Sequence, residues 1–232
     1  MAIKTTEGVC RSCLKRFSGR AMGRHLLACK AKKQADEEAA ASVKTQETIY
    51  HIRISCYRIF WLHIEMPAAA TLDDLDLFLR GIWLECCGHL SEFTIHGERY
   101  AAPMEDDWGG MASKSTDVSL DRVLHVKDKF EHVYDFGSST YLEGQIVAKR
   151  TGVLEDTVSI LARNNLPEFA CEDCDSAATW ICTECGEFYC DRCLKEHDCG
   201  EEMTLPVVNS PRMGVCGYCG DEDFDRFVIP EA

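Results

Sequence analysis

Residues 50–67, YHIRISCYRIFWLHIEMP, form a β-branched and aromatic run long enough for a strand pair or one long bent strand. Residues 71–90, TLDDLDLFLRGIWLECCGHL, change the period. Thr71 is a natural N-cap with Asp74 three positions on, and Leu72, Leu75, Leu79, Ile82 and Trp83 recur at helical spacing. In residues 91–101, SEFTIHGERYA, alternation returns, with His96 and Gly97 marking a turn; residues 132–151, HVYDFGSSTYLEGQIVAKRT, supply two further strands around FGSS. The order β, β, α, β and then more β predicts an α+β domain over residues 48–165, built on a mainly antiparallel sheet with one principal helix.

The chain has 232 residues, of which 46% are hydrophobic. That is enough for one ordinary core of roughly 100 to 130 residues with small attachments. The sequence has no run of eighteen apolar residues, and the N-terminal MAIKTTEGVCRSC lacks the apolar centre of a signal peptide, so the expectation is a soluble, cytoplasmic protein without a membrane partner. In a reducing compartment the 15 cysteines point to metal rather than to disulfides.

Those cysteines fall in two fields. The longer reads Cys171-x2-Cys174-x7-Cys182-x2-Cys185-x4-Cys190-x2-Cys193-x3-His197-x-Cys199, eight ligand-type residues in four close pairs. A two-residue spacer lets both thiolates of a CxxC knuckle reach one ion at about 2.3 Å, so eight ligands make two tetrahedral zinc sites. The favoured pairing is interleaved: Cys171, Cys174, Cys190 and Cys193 on one ion, and Cys182, Cys185, His197 and Cys199 on the other. Spacing alone leaves a sequential pairing open. The segment is too polar to fold on burial, and metal binding supplies about 10 kcal/mol or more. Residues 168–200 resemble the cross-brace of B-box and related treble-clef fingers, with FYCDRC as the aromatic-Cys turn, although Cys199 replaces the more distant histidine usual in that family. Cys216 and Cys219 form one more knuckle in the 201–232 tail. Completing it would take Cys86, Cys87 or a partner chain; alternatively one of its cysteines displaces Cys199, or the two remain free thiols.

The N-terminal field reads Cys10-x2-Cys13-x11-His25-x3-Cys29. His and Cys four apart share one helical face, and Phe17 with Leu26 supplies an apolar plug beneath an ion. Residues 1–33 resemble CCHC-type fingers and bring the expected zinc count to three. Charge separates this segment from the rest. It holds nine Lys/Arg against one acidic residue, net +8, whereas the remaining 199 residues carry 16 basic and 38 acidic side chains, net −22. Nucleic acid would therefore be met through residues 1–33, with Arg20 and Arg24 as candidate phosphate contacts. A solvated basic face, or docking of this arm on the acidic body, are the alternatives. Residues 34–47 lack an apolar stripe and read as a linker or exposed helix.

The pieces TLDDLDLFLRGIW, HLSEFTI and YDFGSS resemble the plasmid pRiA4b ORF-3-like family, which also occurs as a passenger of mobile elements. That resemblance implies a fold rather than an activity. His89, Glu92 and Asp135 are read as structural hydrogen-bonding residues, because no base, nucleophile and oxyanion donor come together in the sequence. The expected function is a non-enzymatic, zinc-binding adaptor or regulator that contacts another protein, with a nucleic-acid-binding regulator as the alternative.

Overall fold

The computed structural model describes residues 6–41, 45–102 and 113–220. Lys4, part of the 34–47 segment and the acidic end of the tail lie outside the described residues. The described residues divide into two compact units: those within 6–78 and 90–165 make the first, and residues 79–89 and 166–220 the second.

A single antiparallel-dominated sheet organises the first unit. Its centre is a hairpin of β3 (Glu47–Cys56) and β4 (Phe60–Pro67), paired from Ile49 with Pro67 to Cys56 with Phe60. The 50–67 run is thus a strand pair. Strand β9 (Thr140–Gly152) lies on the far side of β3, followed by β8 (Lys129–Tyr134), β5 (Ser91–Ile95), β6 (Glu98–Ala101) and the short parallel β7 (Lys114–Ser115). His96 and Gly97, both at positive φ, turn β5 into β6 where the sequence marks a turn. On the other side of β4 come β10 (Ser159–Asn164), β1 (Glu7–Cys10) and β2 (Arg16–Ser18), ending a ten-stranded sheet. The N-terminal segment, set apart by its sequence, therefore continues the central sheet.

Alternation in β3 and β4 gives the sheet two unlike faces. Ile52 opposite Ile64 and Ile54 opposite Leu62 are fully buried on one face. His51 opposite Glu65 and Ser55 opposite Trp61 are buried on the other, which is polar. Gly144 pairs with Phe130, whose ring occupies the space a Cβ at Gly144 would need. Gly8 has a similar role near the sheet's end: a Cβ there would collide with the Arg163 carbonyl and the Trp61 ring.

Within residues 48–165 the helix that Thr71 announces is the longest α-helix described, accompanied by a four-residue turn at Leu120–Val123, and two further helices precede that domain. The first unit contains α1 (Gly19–Ala28), α2 (Lys30–Ala41) and α3 (Leu72–Leu79). At α3 the Thr71 hydroxyl accepts from the Asp74 amide at 3.1 Å while the Asp74 carboxylate accepts from the Thr71 amide at 2.8 Å, a reciprocal capping box. The longest described helix is α2, which starts at the end of the N-terminal segment and runs into the one read as a linker or exposed helix. It is held to the polar face by buried Lys32, 2.7 Å from both Glu65 and Asp36, while Arg150 of β9 binds both Glu65 oxygens at 3.0 and 2.6 Å. The helical stripe after Leu79 becomes a π-helical turn, Arg80–Leu84, within the second unit.

In that second unit β12 (Phe188–Tyr189), β11 (Trp180–Cys182) and β13 (Thr204–Pro206) form a three-stranded sheet, which joins the start of the tail to the cysteine-rich segment. Among the described residues no helix is long and apolar enough to cross a membrane.

Candidate metal centres

Four groups of Cys and His have their ligand atoms within 4.8 Å of one another: Cys10, Cys13, His25 and Cys29; Cys171, Cys174, Cys190 and Cys193; Cys182, Cys185, His197 and Cys199; and Cys86, Cys87, His89 and Cys216. The first lies in the first unit and the other three in the second.

Local backbone structure creates the knuckles. In Cys10–Leu14, Cys182–Gly186 and Cys190–Leu194 the amide of the fifth residue donates to the carbonyl of the first, at 2.8, 2.9 and 3.0 Å. Leu14 at φ 58° and Gly186 at φ 75° finish two of these turns in the left-handed region. Each loop thereby directs two sulfurs to one side.

The separations distinguish between the chemistries open to clustered thiols. A disulfide requires sulfurs about 2.03 Å apart, whereas a tetrahedral ion bound at about 2.3 Å has S···S edges of about 3.8 Å. Observed values are 3.9 Å for Cys10–Cys29, 3.8 Å for Cys174–Cys190 and 3.6 Å for Cys193–Cys174. The histidine edges, Cys13–His25 at 3.3 Å and Cys185–His197 at 3.7 Å, fall in the same range. The donor sets therefore fit a tetrahedral cation.

Electrostatics agree with that fit. Hydrogen bonds from the Ser176 hydroxyl and amide hold Cys174 down at about 6. Cys193 is pushed up to about 12, chiefly by its hydrogen bond to Cys174. Four thiolates cannot all be charged at this spacing without a cation. The amides of Cys193 and Arg192 lower Cys190 in turn, as expected of a knuckle whose N–H groups point at sulfur.

The first group owes its support to the sheet. Phe17 stacks on the His25 ring at 4.0 Å and Leu26 is buried beneath, as the plug reading expects. Met22 and Trp61, Leu161 and Ala162 of the sheet complete the cluster. A bulge in β10 between Ile160 and Ala162 accompanies this contact. Arg20 and Arg24 are exposed on α1.

In the second unit the structure brings together the two interleaved quartets of the cross-brace. Tyr189 lies against His197, with ring centroids 4.1 Å apart, and belongs to the small core with Leu194.

The fourth group differs from the sequence reading in two residues. His89 is a member rather than a purely structural residue, and Cys219 stands apart, its thiol donating to the Gly217 carbonyl at 3.3 Å. The Cys86-Cys87-x-His89 spacing was the available signal, but its remaining member, Cys216, is 127 residues beyond His89. Glu92 is bound by Arg99 through both oxygens at 2.8 Å, and Asp135 accepts the Gly137 amide at 2.9 Å.

Among solved structures, a crystal structure of a protein of unknown function from Methanosarcina mazei Go1 is similar at 20% identity, over 51% of this chain and 68% of that one, with a TM-score of 0.42. Curated proteins give no match. A family match spans residues 49–173, from β3 through β10 to the edge of the cysteine-rich segment, and by that match the chain belongs to the plasmid pRiA4b ORF-3-like protein family.

Proposed function

We propose that this protein is a non-enzymatic, zinc-stabilised adaptor or regulator that acts through protein–protein contacts. One observation carries the reading: in the three quartets anticipated by spacing, every ligand is a protein Cys or His and each set is already four. A tetrahedral ion so bound has no position for water or substrate, which is the signature of a structural site. Thiolate and imidazole donors without carboxylates favour zinc over the harder divalent cations. The ions serve folding, and recognition falls to the surfaces they hold. With net −22 outside residues 1–33, the partner is expected to present a basic face.

A second reading rests on Arg20 and Arg24, exposed one turn apart on α1 within the +8 segment. That helix face would contact phosphate, with affinity falling steeply as salt rises.

The experiment is affinity capture by the immobilised full-length protein from native extract, with and without nuclease. Protein retained after nuclease and eluted by salt is the expected result. Loss of all bound protein on nuclease treatment, with nucleic acid recovered in its absence, would overturn the adaptor in favour of the nucleic-acid reading.

A further inference from the structure

The three quartets just considered each contain at least one buried cysteine, whereas Cys86, Cys87, His89 and Cys216 contain none. The geometry of this fourth group nevertheless matches theirs. Cys87 is 3.7 Å from Cys86, 3.5 Å from Cys216 and 3.0 Å from His89 Nε2, which is 3.2 Å from Cys216.

The surroundings are constructed for ligation. Arg80 of the π-helical turn binds Glu85 at 2.9 Å and donates to the His89 carbonyl at 2.7 Å, while Glu85 accepts the Gly88 amide at 2.5 Å, so the loop 85–89 is tied at both ends. Such turns inside helices often accompany functional sites. Across the site Cys216 sits at φ 52°, a left-handed backbone conformation that is unfavourable for a non-glycine residue and persists where the surroundings require it. Behind it, Arg212 is fully buried, and its Nη2 lies 3.6 Å from Cys86 Sγ. A guanidinium donating to sulfur stabilises the thiolate, and a Cys₃His zinc site carries one net negative charge to match it. Ser210, bonded to the Trp83 carbonyl at 2.6 Å and to the Arg212 amide at 2.8 Å, fixes the segment that delivers both Arg212 and Cys216.

We infer that Cys86, Cys87, His89 and Cys216 form a fourth zinc site, the most readily exchanged of the four, which clasps the 207–220 segment to the loop 85–89. Arg212 is its positioning residue. Exposure makes the ion accessible to competing ligands, and the long sequence separation makes its departure a conformational event, since among the described residues no other Cys/His group spans these two segments.

The test uses the full chain purified without added metal. Elemental analysis is expected to give four zinc per protein in the natural sequence and in Cys219→Ser, and three in Cys216→Ser. A chromogenic chelator should withdraw one equivalent at least about tenfold faster than the rest, and Cys216→Ser should lack that fast equivalent. Trypsin should cut after Arg212 only once this first equivalent has left. His89→Ala carries the same test should Cys216→Ser fail to fold. Three zinc in both the natural protein and the variant, persistence of the fast equivalent in Cys216→Ser, or an equal loss in Cys219→Ser would each overturn the assignment.

Discussion

Replacing Glu65 with Gln removes one charge from a group of four that is otherwise neutral. Lys32 and Arg150 supply two positive charges, Glu65 and Asp36 two negative ones, and the Glu65 side chain is only 4% exposed. In Glu65→Gln the two cations face Asp36 alone, and at least one hydrogen bond to Lys32 or Arg150 is lost. Removing one partner from a buried ion pair costs about 3 to 5 kcal/mol. Gln keeps one acceptor oxygen, so about 3 kcal/mol is expected. Lys32→Met added to Glu65→Gln leaves Arg150 with Asp36, a neutral pair, and the double variant should fall short of additivity by about 1 kcal/mol or more. Burial alone would raise the Glu65 pKa, but hydrogen bonds from Arg150 and Lys32 outweigh it and hold the carboxyl below its usual value. The folded state therefore binds this proton less readily than the unfolded chain. Its contribution is present above the unfolded carboxylate value of about 4.3 and is lost as pH falls through the lower folded one. Urea unfolding followed by circular dichroism measures the cost, and hydrogen exchange over residues 30–41 reports whether α2 detaches. A loss under about 1 kcal/mol with α2 protection unchanged would refute the account of how this helix is held.

The remaining predictions concern the ligands and the buried histidines. Cys199→Ser should lose one zinc equivalent by elemental analysis and leave the Cys171 quartet filled, because its sulfur belongs with Cys182, Cys185 and His197. His51 and His63 touch at 2.9 Å inside the polar face; burial holds His51 at about 4 and His63 well below its usual value. Both folded values lie below the unfolded histidine value of about 6.5, so stability is greatest above that pH and falls as pH drops toward 4. Urea midpoints at pH 7 and pH 5 should show the fall. It should shrink in His51→Gln at unchanged zinc content, which separates it from metal loss.

Local signals were legible wherever a short segment determines its own structure. Thr71 with Asp74 announces a capping box, His96–Gly97 a turn, and the CxxC spacings their knuckles, because each depends on residues within five positions. What stayed hidden depends on distant partners. Helix α2 has no apolar stripe because the face it covers is itself charged, and Lys32 looks like a solvent residue until Glu65 is placed beneath it. The N-terminal finger looked self-contained because Phe17 and Leu26 suffice for a small plug, whereas Trp61 and Leu161 lie some 30 and 130 positions away. His89 carried too little context to be read as a ligand, since Cys216 reaches it only through the fold.

The pairing of β1 with β10 gives the first quartet a further consequence. An uncovered outer strand offers unpaired amides and carbonyls to any passing chain, and natural sheets protect such margins from end-on association. Here β1 and β2 occupy that margin, and Cys10 at the end of β1 shares its quartet with His25 of α1 and Cys29 at the end of that helix. An ion at this quartet would thus guard against polymerisation. Stripping it uncovers the backbone of Ser159–Asn164, a segment rich in apolar side chains, so the first sign of metal loss at this end should be self-association rather than unfolding of the sheet.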